Sequence, residues 1–158
     1  MATYDVTGPS NAGVRPGRYS AGVRTPYLVE NVIDVSAINS DAGTADGDIL
    51  QALDIPAETL ILHAGVEVLT ALSSSVTIDL GVTGADPDRY VDGDANATGY
   101  SVLTATARMV SASADTLDAL LAGAASTAGK IRIWALLCDV SGTDETDRQT
   151  DAQHDTGS

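Results

Sequence analysis

The chain has 158 residues, of which 44% are hydrophobic, and this length is sufficient for one domain with a hydrophobic core of its own. Because it contains no Phe and one Trp, the core must consist mainly of small aliphatic residues, which suits a thin β-sandwich better than an enzyme with a large cavity. A formal net charge of −14 argues against binding to nucleic acid or to an anionic membrane by general electrostatic attraction. Neither a signal peptide nor a membrane-length apolar run is evident, so we expect a soluble product made in a cytoplasm.

Residues 1–26 are rich in Gly and Pro, which interrupt helices and strands alike, and they are therefore predicted to form an extended arm. The arm is basic, since Arg15, Arg18 and Arg24 are opposed there by a single acidic residue, and Tyr19 adds an aromatic side chain able to dock. Two interpretations stay open. The arm is either a solvated leader that improves solubility, or it lies over an acidic partner surface where each guanidinium forks onto a carboxylate.

Alternating apolar and polar residues predict strands over 27–38, 49–55, 59–70 and 75–83, because successive side chains of a strand point to opposite faces. The densest alternation lies in the last two of these segments. A short connector rich in Ser, residues 73–75, separates them. We therefore predict that these two strands are antiparallel neighbours.

An aspartate-rich segment follows at 86–94, and it is predicted to be a loop. Asp92, Asp94 and Asn96 have the spacing with which a calcium-binding EF-hand loop begins, and hard cations prefer such oxygen ligands. The match then fails, because Ala97 stands where the loop needs Gly and Leu103 replaces the final Glu. The favoured interpretation is an acidic turn without a metal, and the three residues are weak candidates for a cation site.

The remaining segments complete an all-β pattern. Residues 100–110 and 130–140 are predicted strands, the latter apolar on both faces and so placed in the centre of a sheet. Residues 114–122 fit a helix or a strand, and the short β-like elements around them favour a strand. Residues 142–158 form an acidic polar tail. The predicted fold is a single jelly-roll-like β-sandwich over residues 27–141, with an extended N-terminal arm and a polar C-terminal tail.

No arrangement of residues indicates catalysis or a cofactor. The two histidines, His63 and His154, lie far apart in the sequence, and neither a G-x-S-x-G motif nor a phosphate-binding glycine loop is present. Cys138 lies in an apolar strand and is predicted to be a small buried residue. The favoured interpretation is therefore a protein that is not an enzyme.

Four phrases of the sequence resemble a family of small virion structural proteins of tailed bacteriophages. They are TPYLVENVIDVSAIN, ILQALDIPAETLILHAGVEVLTA, DLGVTGADPDRYVDG and IRIWALLCDV, and together they cover roughly residues 25–140. Members of this family serve as head decoration, or cement, proteins. The resemblance implies a β-sandwich subunit, commonly a homotrimer, bound to the major capsid protein on the outer surface of the expanded icosahedral head at capsomer junctions.

Two alternatives remain. The first is another virion component, such as a head-fibre base or a protein of the tail or neck. The second is a carbohydrate-binding β-sandwich, which needs an exposed aromatic platform. With Trp134 placed in a core-like strand, Tyr90 and Tyr100 are the candidates for that platform.

Overall fold

The structure is a computed structural model that describes residues 1–6, 25–39, 42–82, 84, 86–95, 99–101 and 109–140. These residues form ten strands and one short 3-10 helix. The strands, in chain order, are β1 (Thr3–Asp5), β2 (Tyr27–Asp34), β3 (Asp48–Ile55), β4 (Thr59–Thr70), β5 (Thr77–Val82), β6 (Asp86–Ala95), β7 (Gly99–Ser101), β8 (Met109–Ser111), β9 (Asp115–Ala122) and β10 (Lys130–Asp139). The 3-10 helix, Val35–Ala37, follows β2 directly, and the Asp34 carboxylate caps it by accepting from the Ser36 amide.

The strands pack as two sheets. Sheet I has the order β1-β3-β9-β5-β6, and sheet II has the order β2-β10-β4-β7, with β8 pairing to the other end of β4. Apart from the short strands β1 and β8, this is the strand order of a jelly roll, in which the chain passes repeatedly from one sheet to the other. The predicted all-β sandwich is therefore confirmed. The described part of the chain contains no helix with the length and apolarity needed to cross a membrane.

The core lies between the two sheets and consists mainly of aliphatic side chains. Along β10, alternate residues are fully buried while their neighbours face outward, as the period of a strand requires. The inward set includes Leu50, Leu53, Ile61, Ile78, Leu80, Leu117, Leu121, Ile131, Ile133 and Leu137. Cys138 is also buried and has a free thiol, as predicted.

The predicted pairing of 59–70 with 75–83 is wrong. β4 lies in sheet II and β5 in sheet I, so the Ser-rich connector crosses from one sheet to the other. Leu72 and Val76 at either side of the serines are buried, and they draw this connector over the end of the core. Ser73 itself holds the β9–β10 connection, since its amide donates to the Ala128 carbonyl at 3.0 Å and its hydroxyl accepts from the Thr127 amide at 2.9 Å.

A third connection reaches the same end of the sandwich. Residues 35–47 also pass from sheet II to sheet I, and Thr44 pairs with Ser126 through two backbone hydrogen bonds of 2.7 and 2.9 Å. Gly43 beside them has a φ of +76°, and a Cβ there would overlap the carbonyl oxygen of Ser126. Three connections between the sheets are thus tied together by short polar side chains and backbone groups.

The aspartate-rich segment is a strand and not the predicted loop. β6 pairs antiparallel with β5 with register shifts between the partners of Ile78, Leu80 and Val82. Tyr90 and Val91 in the middle of the segment are buried in the core. Their burial holds the segment in the sheet in spite of its Asp, Pro and Gly, because turn propensity is weaker than the packing of a large ring.

The other predicted elements are placed as follows. Residues 115–122 form a strand, which settles the helix-or-strand alternative, and β10 pairs with both β2 and β4 in the predicted central position. The prediction for 100–110 corresponds to two short strands, β7 and β8, with 102–108 outside the described residues. The tail, 142–158, also lies outside them.

Candidate interaction surface

The proposed docking residues of the arm lie outside the described part of the structure. Arg15, Arg18, Tyr19 and Arg24 all belong to residues 7–24, about which the structure gives no geometry. The residues that flank this segment are described. The first six residues, predicted as the start of the arm, belong to sheet I, where β1 pairs in parallel with β3.

One buried and one partly buried polar side chain hold β1 in place. The Asp48 carboxylate, 1% exposed, accepts hydrogen bonds from the amides of Ala2 at 2.7 Å and Ala45 at 2.8 Å. The Asn31 amide donates to the carbonyls of Val6 at 2.7 Å and Ala52 at 3.1 Å, and so joins the two sheets. The backbone that precedes residues 7–24 is therefore fixed to the sandwich by hydrogen bonds, and the strand that follows them in the sequence is β2.

Burial and Asp48 together change the acidity of Tyr4 on β1. Loss of solvation raises the pKa of the Tyr4 phenol above its usual value, and the nearby Asp48 carboxylate raises it further by its charge and a hydrogen bond. The shift favours the protonated phenol, which can donate to the Asp48 carboxylate. Tyr4 also lines an open cleft of about 320 Å³ between the edges of β1 and β2, together with Asp5, Val6, Val32, Ile33, Asp34, Ala37, Ile38 and Asn39.

The weak cation candidates Asp92, Asp94 and Asn96 lie mostly outside the described side chains, and their role stays a prediction. Asp92 is exposed, while the side chain of Asp94 and all of Asn96 lie outside what the structure describes. Within the described residues, no three His, Cys, Asp or Glu side chains are grouped so that they could hold a metal ion. Asp79 accepts a hydrogen bond from the Gly93 amide, which pins the β5–β6 pair.

The beginning of β6 contains two neighbouring carboxylates, those of Asp86 and Asp88. A hydrogen bond with Asp88 raises the pKa of Asp86, with desolvation and the Asp88 charge acting in the same direction. Arg89 acts against them, because its guanidinium lies 3.1 Å from the Asp86 carboxylate. This pair is a local electrostatic feature at the start of β6, where Pro87 and Asp88 are exposed.

Tyr90 is not available as a carbohydrate platform. Its residue is 4% exposed and belongs to the core, and this burial raises the pKa of its phenol. The side chain of Tyr100 is outside the described residues. Trp134, which the sequence placed in a core-like strand, lies instead on the outward side of β10, where it is partly exposed.

The outer face of sheet II is the apolar surface of the described structure. Pairing in register places Leu136 of β10 between Leu28 of β2 and His63 of β4, and Trp134 is the next outward residue along β10. The indole of Trp134 packs against the His63 ring, with centroids 5.6 Å apart and planes at 76°. Val110 of β8 extends this surface beside Leu60.

Ion pairs occupy the other end of the same face. The Arg132 guanidinium lies 3.1 Å from the Glu67 carboxylate and 3.9 Å from that of Glu30, so it sits between two neighbouring strands. Lys130 pairs with Asp34 at 3.3 Å. The hydrogen bonds that Asp34 receives from Ser36 and Lys130 lower its pKa below the usual value. Each of these two cations is therefore paired, and the carboxylates outnumber them.

Sequence reasoning missed this face because β10 is apolar on both sides. One signal for it was present: Arg132 marks the outward side of the strand, and alternation then assigns Trp134 and Leu136 to that side. The exposure of Leu28 and Val32 depends on β2 lying at the edge of sheet II, and strand order is not contained in the periodicity.

Comparison with known proteins gives a fold and no family. No protein-family model matches the chain, and no curated protein matches it. A chain in the acid-stable capsid of Helicobacter pylori bacteriophage KHP30 superposes with a TM-score of 0.53 at 11% sequence identity, covering 73% of this chain and 90% of that one. A chain in the capsid of Ralstonia phage GP4 superposes with a TM-score of 0.55 at 19% identity, covering 89% of this chain and 100% of that one.

These superpositions establish a shared fold. Both matched chains are covered almost completely, so the similarity concerns an entire small chain and not one domain of a much larger protein. Each belongs to a solved phage capsid.

Proposed function

We propose that this chain is a virion structural protein of a tailed phage, and specifically a decoration protein that binds the outside of the expanded head. The observation that carries the proposal is the fold shared with nearly complete chains of two phage capsids. The four sequence phrases that resemble virion structural proteins support it independently of the superposition. The partner is the major capsid protein, and the subunits associate as homotrimers at capsomer junctions.

The mechanism is stabilisation by binding energy. A ligand that binds the expanded shell, and not its dissociated subunits, shifts the equilibrium toward the shell by mass action. The jelly roll provides a rigid body for this purpose, because its connections are tied together at one end by Thr44, Ser73 and Ser126. Many modest contacts repeated around a closed shell add up to a large resistance to disruption.

The decisive test is binding of the purified protein to expanded heads that lack it. We expect saturable co-sedimentation in a fixed stoichiometric ratio to the major capsid protein, together with a higher temperature of head disruption. Binding of only a few copies at one vertex would instead indicate a neck, tail or fibre component, and would contradict the decoration role. Sedimentation velocity of the free protein tests the homotrimer separately.

The arm contributes through Arg15, Arg18, Tyr19 and Arg24 in this proposal. Each arginine pairs with a carboxylate of the shell, and such contacts weaken as salt screens them. Replacing the three arginines by Ala should therefore weaken binding and flatten its dependence on salt. Unchanged binding of this variant at low salt would exclude the arginines.

Removal of the arm is a second test of its role, and the structure shows where the removed segment must begin. Removing residues 1–25 would also remove β1 and its hydrogen bonds to Asp48, so a loss of binding could reflect damage to sheet I. Replacing residues 8–24 by a Gly-Ser linker of the same length removes all four docking residues and retains β1 and the anchored Val6. The expected result is a folded protein with the wild-type unfolding midpoint that binds heads more weakly, and normal decoration by it would refute the role of the arm.

A further inference from the structure

The outer face of sheet II exposes more large apolar side chains than a structural role explains. Leu28 is 60% exposed, Val110 is 54% exposed and Val32 is 44% exposed. All three belong to strands of this sheet, and Trp134 and Leu136 lie on its outward side. Apolar residues that recur together on one face, and not singly over the surface, are typical of an interaction site.

The face has the composition of an interface centre with a charged margin. Trp and Arg are the residues most enriched among those that dominate binding energy, and Trp134 and Arg132 stand two residues apart on the same side of β10. Arg132 is already held by Glu30 and Glu67 in the free protein. The surface is therefore organised before binding, and little conformational entropy is lost when a partner docks.

Charge distinguishes between the possible occupants. The whole chain has 22 acidic residues against 8 basic ones, and among the described residues the basic side chains are Arg89, Lys130 and Arg132. All three are paired with carboxylates within the chain. A second copy docked face to face would bring further acidic groups toward Glu30 and Asp34, and every cation among the described residues of the face already has a carboxylate partner.

We infer that the outer face of sheet II binds a shell surface that has an apolar centre and a basic margin. Leu28, Val32 and Trp134 supply the apolar contact. Glu30 and Asp34, whose side chains are 52% and 42% exposed, meet the basic groups of the partner. This inference rests on the proposed function, because it names the surface with which the protein faces the head.

Two matched substitutions test the apolar contact. L28T/V32T replaces two exposed apolar side chains on sheet II by polar ones, and Thr is well tolerated in strands. L120T makes the same type of change on the outward side of β9 in sheet I, where Leu120 is partly buried. We expect L28T/V32T to bind heads about tenfold or more weakly, as the loss of central apolar contacts implies, and L120T to bind like the wild type.

The charged margin has its own test. E30Q leaves Arg132 paired with Glu67, and we expect it to weaken head binding and to reduce the salt dependence of that binding. D54N on sheet I is the matched control, and its binding should be unchanged. Unfolding midpoints and sedimentation coefficients of all four variants are measured beside binding, so that a folding defect or a change in oligomeric state is recognised.

The possible outcomes separate this inference from the proposed function. If the wild-type protein decorates heads and L28T/V32T does so equally well, the inference is overturned and the decoration role stands. If L28T/V32T loses self-association, the face joins copies of this chain and the inference is overturned. If the wild-type protein binds no heads, the proposed function fails and the inference fails with it. Selective weakening of L28T/V32T and E30Q supports the inference.

Discussion

The two outer faces of the sandwich differ although they cover the same core. On sheet II the outward residues of the central strand β10 are Arg132, Trp134 and Leu136. On sheet I the central strand β9 places Asp118 in register with Gln51 and Gly81, and Thr116 with Asp54. One face has exposed apolar side chains with paired charges, and the other has polar and acidic residues around Leu120. Both faces close the same core, and we attribute the difference between them to the partner surface inferred for sheet II.

Part of the outer face of sheet I is covered by the chain itself, at the start of β6, and the described residues of sheet II have no such cover. At Gly81 a Cβ would overlap the carbonyl oxygen of Asp86 and contact the backbone of Pro87, so the start of β6 lies directly against β5 there. Asp118 opposite Gly81 is buried in consequence. Sheet I thus closes part of its own outer surface with its own chain, whereas sheet II presents side chains to the outside.

Of the substitutions that test this comparison, Gly81→Ala should change the free energy of unfolding most. The added methyl group must displace backbone, not a flexible side chain, so we expect a loss of about 1–3 kcal/mol in the free energy of unfolding. Urea denaturation measures it. Gly93→Ala is the control, since nothing lies near its Cβ position and only its φ of +59° is unfavourable. Equal losses for the two variants would show that β6 does not pack closely on β5.

The ion pairs of sheet II should contribute less. Arg132→Met removes the cation that pairs with both Glu30 and Glu67. Because the guanidinium is 35% exposed and solvent screens its charge, we expect a loss of up to about 1 kcal/mol, larger at low salt. Thermal unfolding at two salt concentrations measures it, and a loss that does not depend on salt would assign the effect to packing of the side chain.

The sequence predicted the secondary structure better than the surfaces. Alternation located the strands around Leu50, Ile61 and Ile133 because most of their inward positions are apolar. Alternation did not show that β4 and β5 lie in different sheets, because a hairpin turn and a crossover between sheets use the same small polar residues. Ser73 in this crossover is hydrogen-bonded to the β9–β10 connection. The prediction of a loop in the aspartate-rich segment was wrong because one buried ring, that of Tyr90, holds this segment in a strand.

The candidate site shows the same limit. Charge identified the arm residues Arg15, Arg18 and Arg24, which lie outside the described structure, and their role stays a prediction. The apolar face of sheet II depends on which strand lies at the edge of the sheet. Strand order results from long-range pairing, such as that of Leu28 with Leu136, and no local pattern contains it.

The smallest predicted effect concerns two carboxylates whose pKa values are shifted in opposite directions. The pKa of Asp34 on sheet II is lowered below its usual value of 3.8, so its contribution to stability is present above pH 3.8 and is lost as the pH falls through the lowered value. The pKa of Asp86 on sheet I is raised, so its contribution is present at low pH and is lost as the pH rises through the raised value. Asp34→Asn should consequently lower stability at neutral pH, and its difference from the wild type should disappear in acid.

Asp88→Asn tests the other half of the comparison. It removes the carboxyl group that raises the pKa of Asp86 and leaves Arg89, so the pKa of Asp86 should fall and its pH dependence should come to resemble that of Asp34. NMR titration of the side-chain carboxyl carbons follows both groups in one experiment. An unchanged Asp86 titration would mean that desolvation, and not Asp88, controls this residue. In that case the two faces would differ in burial at this point, and not in the pairing of their charges.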